Sequence, residues 1–217
     1  MAPRLWPVEL SATLPDGGLL VLRAMTRRDK SDFFGLRARN KGWLSPWEPT
    51  NPDGIPNTLT YGQLLRTQRE SARDGRAFAF AVAVDGEFAG QLTISNVERG
   101  AFRSCTAGYW VGLEFAGRNL MPTALALAGD YMFGVGRLHR LEVNIRPENL
   151  ASLAVATKLG LRDEGLRRRY LHIDGAWRDH RSFAITKDEL GEDGLQGRLR
   201  RNLAERVRHT EATTEFS

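Results

Sequence analysis

The stretch GYWVGLEFAGRNLMPTALALAGDYMF, residues 108–133, carries in succession a β-rich run, a turn and an Ala/Leu-rich helical run. The run LHRLEVNIR, residues 138–146, follows it and is again typical of a strand. Because a helix that connects two strands of one sheet joins parallel neighbours, this stretch predicts one parallel pair. We expect the active site between these two strands.

Turn sequences on both sides of this unit predict hairpins. They are PDGG at residues 15–18, for which two edge strands are the alternative, and DG at residues 85–86 and 174–175, each between two apolar runs. Together with the parallel pair, they predict an α/β (α+β) fold with a mixed, mostly antiparallel central sheet.

Helical spacing recurs along the rest of the chain. It is found at residues 26–40, 58–75, 119–135, 148–160 and, in the tail, 195–209. Gly75 and Gly160 stand where they can cap the ends of two of these helices. Residues 41–58 are rich in Pro, Gly and Asn and are predicted to form an ordered loop, and the polar end of the chain is predicted to be disordered.

Composition excludes several classes of protein. The chain has 217 residues, of which 41% are hydrophobic and 26% charged, as in a soluble domain with extensions. No apolar run approaches the roughly 20 residues that cross a bilayer, and the N-terminus has no signal pattern. The single cysteine, Cys105, cannot form an internal disulfide. These features predict a cytoplasmic protein with no membrane contact and no metal site.

Basic residues concentrate in one region of a chain with a net charge of +5. The arginines of this region are Arg162, Arg167, Arg168, Arg169, Arg178 and Arg181. Such a surface attracts phosphates or RNA-associated partners. A solvated two-stranded ribbon without a ligand explains the same pattern, so charge alone does not decide between the two interpretations.

The turn before the long apolar helix has the features of an anion site. Gly117, Arg118, Asn119, Leu120 and Met121 precede Pro122, which fits a first helical turn. Asparagine tolerates left-handed backbone, so free N–H groups here, with those of Thr123 and Ala124, could converge on a phosphate. The alternative is an ordinary tight entry into a core helix.

Four segments resemble the GNAT family of N-acetyltransferases, and within it the RimJ/RimL branch that acetylates the N-termini of ribosomal proteins. They are WLSPWEP (43–49), residues 108–133, HRLEVNIRPENLASLAVATKLGLRDEG (139–165) and IDGAWRDH (173–180). The resemblance covers roughly Leu19 to Lys187. It implies a GNAT-like sheet with helices on both faces, and a division into an N-terminal extension (1–18), an acetyltransferase domain (19–187) and a helical or disordered tail (188–217).

The resemblance implies acetyl-coenzyme A as the acetyl donor. Its pyrophosphate would lie on the turn, against Gly117, Arg118, Asn119, Leu120, Met121 and Thr123. The family motif Q/R-x-x-G-x-G/A is altered here, since Ala116, Asn119 and Met121 occupy its three specified positions. We therefore expect binding through backbone amides, with Met121 adding bulk beside the phosphates.

The family transfers acetyl directly to an amine, without a covalent enzyme intermediate. The resemblance places the pantetheine arm along Trp110, Val111 and Gly112, where a backbone N–H would stabilise the oxyanion. Asn149 and Ser152 match the family's N-x-x-S. Asn149 would contact the arm, and Ser152 would give a proton to the thiolate. Plain helix capping is the alternative for both.

The base that accepts the amine proton is less well defined. Arg140, Glu142, Asn144 and Arg146 alternate with apolar residues, which predicts one polar strand face beside the cleft. Glu142 is the first candidate, although a salt bridge to Arg140 or another neighbour explains it equally well. Glu48 is the second candidate and His172 the third.

The acceptor side is expected to include Asn144 and the tryptophans Trp43, Trp47 and Trp177, for which core packing is the alternative. The function favoured is acetylation of a protein N-terminal amine, with a ribosomal protein as the candidate acceptor. Two others stay open: acetylation of a small-molecule amine, and coenzyme A binding or RNA association without catalysis. Ribosome association and homodimer formation are also left open.

Overall fold

A single eight-stranded sheet organises the computed structural model, which describes residues 5–55 and 59–214. The strands β1 to β8 are, in chain order, Leu10–Thr13, Leu19–Ala24, Phe78–Val84, Glu87–Glu98, Ser104–Val111, Arg140–Ile145, Arg162–Ile173 and Ala176–Thr186. The helices α1 to α6 are Lys30–Arg39, Lys41–Leu44, Tyr61–Arg73, Leu120–Gly134, Leu150–Leu159 and Gly194–Thr214. The order across the sheet is β1-β2-β3-β4-β5-β6-β8-β7.

The predicted parallel pair is confirmed: β5 and β6 run parallel, with α4 as the helix that connects them, and the other neighbouring pairs are antiparallel. Pairing begins at Ser104 opposite Arg140 and ends at Thr106 opposite Glu142. Both strands continue further, to Val111 and Ile145. The two strands therefore separate in the middle of the sheet and leave an opening between their carboxyl ends.

The three predicted hairpins are confirmed. Asp85 and Gly86 both have positive φ, at 51° and 86°, as a two-residue turn of type I′ requires. Asp174 and Gly175 have φ of 47° and 76° and connect β7 to β8 in the same way. β1 and β2 pair in an antiparallel hairpin at the edge of the sheet.

Helices cover both faces, as expected. On one face Phe33 of α1 packs edge-on against the rings of Trp110 and Phe88. On the other, α4 contacts α5 and α6. A Cβ added at Gly129 of α4 would lie 3.0 Å from Leu195 of α6 and 3.2 Å from Leu141 of β6, so these elements are in close contact.

The prediction of a loop at residues 41–58 was partly wrong. Lys41–Leu44 forms a helical turn, and Ser45–Trp47 continues as a 3₁₀ turn. Asn40 explains the difference, because its carbonyl accepts the N–H groups of Trp43 and Leu44. Local hydrogen bonding thus prevailed over the Pro/Gly-rich composition. Residues 56–58 lie outside the described part of the chain.

The predicted tail helix is present as α6, and it belongs to the packed core. Leu195 and Leu199 are buried against the rest of the molecule. The Asp130 carboxylate of α4 accepts the N–H groups of Leu195 and Gln196 at 2.6 and 3.1 Å, and so caps α6 from a neighbouring helix. Disorder was predicted for the polar end after residue 209, but α6 continues to Thr214, and residues 215–217 lie outside the described residues. The boundaries 1–18, 19–187 and 188–217 stay a prediction.

We expect Asp130→Ala to lower the free energy of unfolding by about 1–2 kcal/mol, because two N–H groups of α6 lose their acceptor. Asp130→Asn keeps one carbonyl oxygen and should cost less. Urea unfolding of the three proteins measures both effects. Equal stability of Asp130→Ala and the wild type would show that α6 docks without this cap.

Candidate active site

A cleft of about 990 Å³ occupies the opening between β5 and β6. Its walls include residues 108–111 of β5, residues 143–146 at the end of β6, the beginning of α4 and one side of α5. Residues of α1 and the segment 43–49 close it from the opposite side. The cleft thus connects the N-terminus of α4 with the polar face of β6.

The turn that begins α4 has left-handed backbone at two positions. Gly117 has φ of 83°, and Asn119 has φ of 60° and ψ of 18°. Asn119, at the position of the motif's first glycine, thus adopts a left-handed backbone, which asparagine tolerates. The first N–H groups of any α-helix have no partner within the helix, so this turn presents donors beside the cleft.

Lys158 of α5 reaches this turn from the side. Its Nζ donates to Oδ1 of Asn119 at 2.7 Å, and both residues line the cleft. Burial, and then the charge of Arg206, lower the pKa of Lys158 from its usual value. Arg118, the basic residue of the turn itself, instead forms a 2.7 Å ion pair with Asp16 and is not part of the cleft wall.

Two further residues of the turn face the core. Met121 is 5% exposed and packs in the core, although it also reaches the cleft wall. Much of its bulk is thus taken up by the interior. Thr123 is buried, and both its N–H and its hydroxyl donate to the Asn119 carbonyl, at 3.1 and 2.8 Å. Its N–H group is therefore already engaged.

The backbone of β5 faces the cleft at alternate residues. Gly112 donates its N–H to the Ala89 carbonyl at 3.0 Å, toward β4 and away from the opening. In an antiparallel ladder the next residue directs its backbone groups to the opposite side, so those of Val111 and Tyr109 face the opening. Trp43 confirms the direction, because its Nε1 donates to the Val111 carbonyl at 3.1 Å.

Two hydroxyl groups lie together on the α5 side. Asn149 caps α5, since its Oδ1 accepts the N–H of Ser152 at 3.0 Å. The Tyr109 hydroxyl is buried and makes no hydrogen bond of good geometry within the described residues. Burial raises the pKa of Tyr109 well above its usual value, and Ser152 is the neighbour that partly offsets this. A buried hydroxyl without a partner, in a cleft wall, is a feature of a ligand site.

Glu142 lies on the opposite, polar face and is held between two arginines. Its carboxylate is 2.8 Å from Arg140 and 2.9 Å from Arg167, and it accepts from Asn144 at 3.0 Å. Burial alone would raise the pKa of Glu142, but these hydrogen bonds and charges outweigh burial and lower it. The salt-bridge alternative for Glu142 is thus present. Glu142 is not part of the cleft wall, whereas Asn144 is.

The segment 43–49 covers the part of the cleft where the acceptor is expected. Arg146 stacks 5.2 Å above the Trp47 ring and donates to the Pro46 carbonyl at 2.7 Å. Glu48 pairs with Arg37 at 2.5 Å, and the Arg37 guanidinium lies 5.3 Å from the Trp110 ring. Trp43, Trp47 and Glu48 all line the cleft.

The tip of the β7–β8 hairpin contacts the end of the segment 43–49 and holds it in place. Pro49 forms a bridge with Ile173, and Thr50 Oγ1 lies 2.8 Å from Nδ1 of His172. Trp177 is 54% exposed, packs edge-on against His172 and is not part of the cleft wall, so the structure separates it from the other two tryptophans.

Among the cleft-wall residues that sequence reasoning missed are Tyr109, Lys158 and His180. The latter two had a detectable signal in the sequence. Lys158 lies seven residues beyond Ala151, so the two share the side of α5 that lines the cleft. His180 stands two residues before Ser182, which pairs with Asn144, so strand alternation puts it on the polar face. Tyr109 could not be assigned, because only the separation of the strands shows that its hydroxyl lacks a partner.

Other chemistry finds no support among the described residues. Burial raises the pKa of the Cys105 thiol to about 12, which makes it a poor nucleophile. Within residues 5–55 and 59–214, no group of three or more His, Cys, Asp or Glu side chains is arranged to hold a metal ion. Nor is any helix of this part both long and apolar enough to cross a membrane.

Comparison with known proteins identifies close similarities. Residues 20–162 match the profile described as Acetyltransferase (GNAT) domain. The chain is 35% identical over 169 residues to [Ribosomal protein uS5]-alanine N-acetyltransferase of Escherichia coli (strain K12), covering 77% of this chain and 87% of the relative.

Solved structures agree with this similarity. The structure of Mycobacterium smegmatis RimJ in complex with CoA-disulfide superimposes with a TM-score of 0.83 at 38% identity, over 92% of this chain and 96% of that one. Ribosomal-protein-S5-alanine acetyltransferase from Vibrio fischeri gives a TM-score of 0.71 at 28% identity, over 84% of this chain and 99% of that one.

We expect Glu142→Gln to lower the free energy of unfolding by roughly 1–3 kcal/mol at pH 7, because two arginines lose a shared carboxylate. Since the folded-state pKa lies below the unfolded value of about 4.3, the wild-type advantage is present above that pH and is lost as pH falls through the folded pKa. Urea unfolding at pH 7 and pH 3 tests this.

Glu70→Gln is the matched control, because Glu70 pairs with Arg66 on an exposed helix surface. It should change stability by less than about 0.5 kcal/mol at either pH. A difference between Glu142→Gln and wild type that is the same at both pH values would contradict the ion-pair explanation.

Proposed function

The chain belongs to the GNAT acetyltransferase family, and we propose that it transfers the acetyl group of acetyl-coenzyme A to the N-terminal amine of a protein. The observation that carries this proposal is the separation of β5 and β6. It opens one cleft that has the turn before α4 at one end and a polar strand face at the other.

The residues present fit the acetyl donor. Helix N–H groups at residues 117–121 and the Lys158 ammonium would hold the pyrophosphate. Asn119 does two things here, since its backbone supplies the left-handed turn and its side chain positions Lys158. With Met121 packed largely in the core, backbone amides and Lys158 compensate for the altered motif.

Cleft-facing backbone groups of β5 would bind the pantetheine arm as an added strand would. In this arrangement Trp43 fixes the Val111 carbonyl, and the Val111 N–H is the donor for the oxyanion that develops on the acetyl group. The N–H of Gly112 cannot stabilise the oxyanion, because it already donates to the Ala89 carbonyl. When bound, the donor supplies a thioester, which an amine can attack directly.

The hydroxyls of Ser152 and Tyr109 would deliver a proton to the leaving sulfur. The Ser152 hydroxyl is the proposed donor, and Tyr109 would accept a hydrogen bond from it or replenish its proton. The high pKa of Tyr109 keeps it protonated throughout the physiological range. Asn149, as the cap of α5, fixes the turn that carries Ser152.

The charges of the acceptor side favour a protein N-terminus over a polyamine. Glu142 is neutralised by Arg140 and Arg167, and Glu48 by Arg37. A polycationic amine would need unpaired carboxylates, whereas an α-amine, with a pKa near 7.7–8.0, carries a single charge and is partly neutral at pH 7. Asn144 offers a polar group for the backbone next to that amine.

Ribosome association is the finer part of this proposal. β7 is an edge strand of the sheet, and it exposes Arg168 and Arg169 to solvent. Such arginines suit contact with RNA phosphates. A cytoplasmic location and homodimer formation likewise stay proposals.

We expect Lys158→Met to weaken coenzyme A binding roughly tenfold, about 1.4 kcal/mol, because one charge-assisted contact to the pyrophosphate is lost. Lys187→Met is the control, since it removes the same charge next to His139, at the opposite end of β6 from the cleft. Calorimetric titration measures both. Dephospho-coenzyme A should show the same loss; a loss confined to coenzyme A would assign Lys158 to the 3′-phosphate instead.

The acceptor is tested with a synthetic peptide that begins with alanine, the residue named for the E. coli relative. We expect coenzyme A release with this peptide and none with the same peptide acetylated at its α-amine. Higher kcat/KM for spermidine than for the peptide would favour the small-amine alternative. Donor binding without turnover of any amine would favour the non-catalytic one.

A further inference from the structure

His180 of β8 is a buried histidine with a defined tautomer. It is 4% exposed, and its Nδ1 lies 3.1 Å from the Arg178 carbonyl oxygen. A carbonyl oxygen only accepts hydrogen bonds, so Nδ1 must carry the proton. In the neutral imidazole the lone pair is then on Nε2, and Nε2 is the atom that can take up a proton.

His180 lines the cleft on the polar face of the sheet. It shares this face with Ser182, whose hydroxyl donates to Asn144 Oδ1 at 2.6 Å. Tyr109 and Ser152 are on the other face, since Tyr109 alternates with Trp110 along β5. A proton acceptor and a proton donor thus stand on opposite sides of the opening.

The other candidate bases already take part in ion pairs or hydrogen bonds. Glu142 is bound by two arginines and Glu48 by a third, and protonating either would break an ion pair. His172 uses Nδ1 with Thr50, and it lies at the anchored tip of the hairpin. His180 also lines the cleft, and within the described part of the chain its Nε2 takes part in no ion pair.

The surroundings keep His180 neutral. Burial is the main cause that lowers its pKa, and the charge of Arg146 acts in the same direction. The bond to the Arg178 carbonyl and the charges of Glu148 and Asp179 act against it. From β7, Arg167 lies directly opposite and the Tyr170 ring packs at 5.5 Å. The net pKa is below the usual 6.5, so the imidazole is deprotonated at pH 7.

We propose that Nε2 of His180 is the general base that deprotonates the acceptor amine, an assignment that rests on the proposed function. The ammonium form of the acceptor gives one proton to Nε2, and its freed lone pair forms the C–N bond to the acetyl carbon. As the C–S bond breaks, the second proton of the nitrogen ends on the thiolate by way of the Ser152 hydroxyl. The imidazolium then releases the first proton to solvent.

Two variants test the role of His180 as a base separately from its structural hydrogen bond to Arg178. His180→Asn keeps an N–H close to the position of Nδ1 and can still donate to Arg178, whereas His180→Gln keeps a polar group close to Nε2. Both lack a titratable nitrogen. We expect kcat for the N-terminal alanine peptide, at saturating acetyl-coenzyme A, to fall about 100-fold at pH 6.5 in both.

The pH profile is the decisive readout. Without a base only the neutral amine reacts, so the variants should recover as pH rises toward the amine pKa of about 7.7–8.0 and come within a few-fold of wild type at pH 9. Coenzyme A binding should stay unchanged. In ¹⁵N-histidine NMR spectra of the wild type, His180 should show a proton on Nδ1 and titrate below pH 6.5.

Other results would overturn the assignment. A loss of equal size at every pH would mean that His180 only supports the structure, and unchanged kcat would mean that another group takes the proton. An Nε2–H tautomer in the NMR spectra would exclude Nε2 as the base. If the wild type acetylates no N-terminal amine, the proposed function itself fails, and this assignment fails with it.

Discussion

The separation of β5 from β6 after three residue pairs is the constraint on which the other features of this protein depend. While the strands are paired, their backbone groups satisfy each other. Beyond Thr106 and Glu142 those groups need another partner. The helix α4, which connects the two strands, begins beside the same opening and adds its own free N–H groups. One topological event thus creates a place for an extended chain and a place for an anion.

The two faces of the sheet carry different chemical groups at this opening. One face is covered by α4, α5 and α6, and there the Tyr109 hydroxyl is buried next to Ser152. The other face carries charged groups, but its carboxylates are balanced by Arg140, Arg167 and Arg37. In the proposed function the acceptor would therefore meet a polar surface without strong net charge. This suits a single amine at the end of a polypeptide.

Much of the fold could be predicted because its signals are local. The turn at Asp85-Gly86, the cap at Gly160 and the strand–helix–strand unit each depend on neighbouring residues, and each is confirmed. The segment after Asn40 was misjudged, because a hydrogen bond from one carbonyl prevailed over composition. The site was harder to predict, since Glu142 and His180 have the same sequence periodicity. Only tertiary contacts distinguish them, with arginines engaging Glu142 while Nε2 of His180 stays available.

The position of α6, C-terminal to every residue of the cleft wall, has a consequence for how the protein is made. Leu195 and Leu199 belong to the core, and α6 packs against α4 and α5, so the apolar surface around Gly129 lacks this cover until these residues have been synthesised. A chain still being translated would expose that surface, and exposed apolar surface is what chaperones bind and what drives aggregation. Synthesis that stops short of residue 195 would leave a chain containing every residue assigned to the cleft but lacking part of its core. Chaperones would therefore recognise a truncated chain by the exposed apolar surface of helix α4.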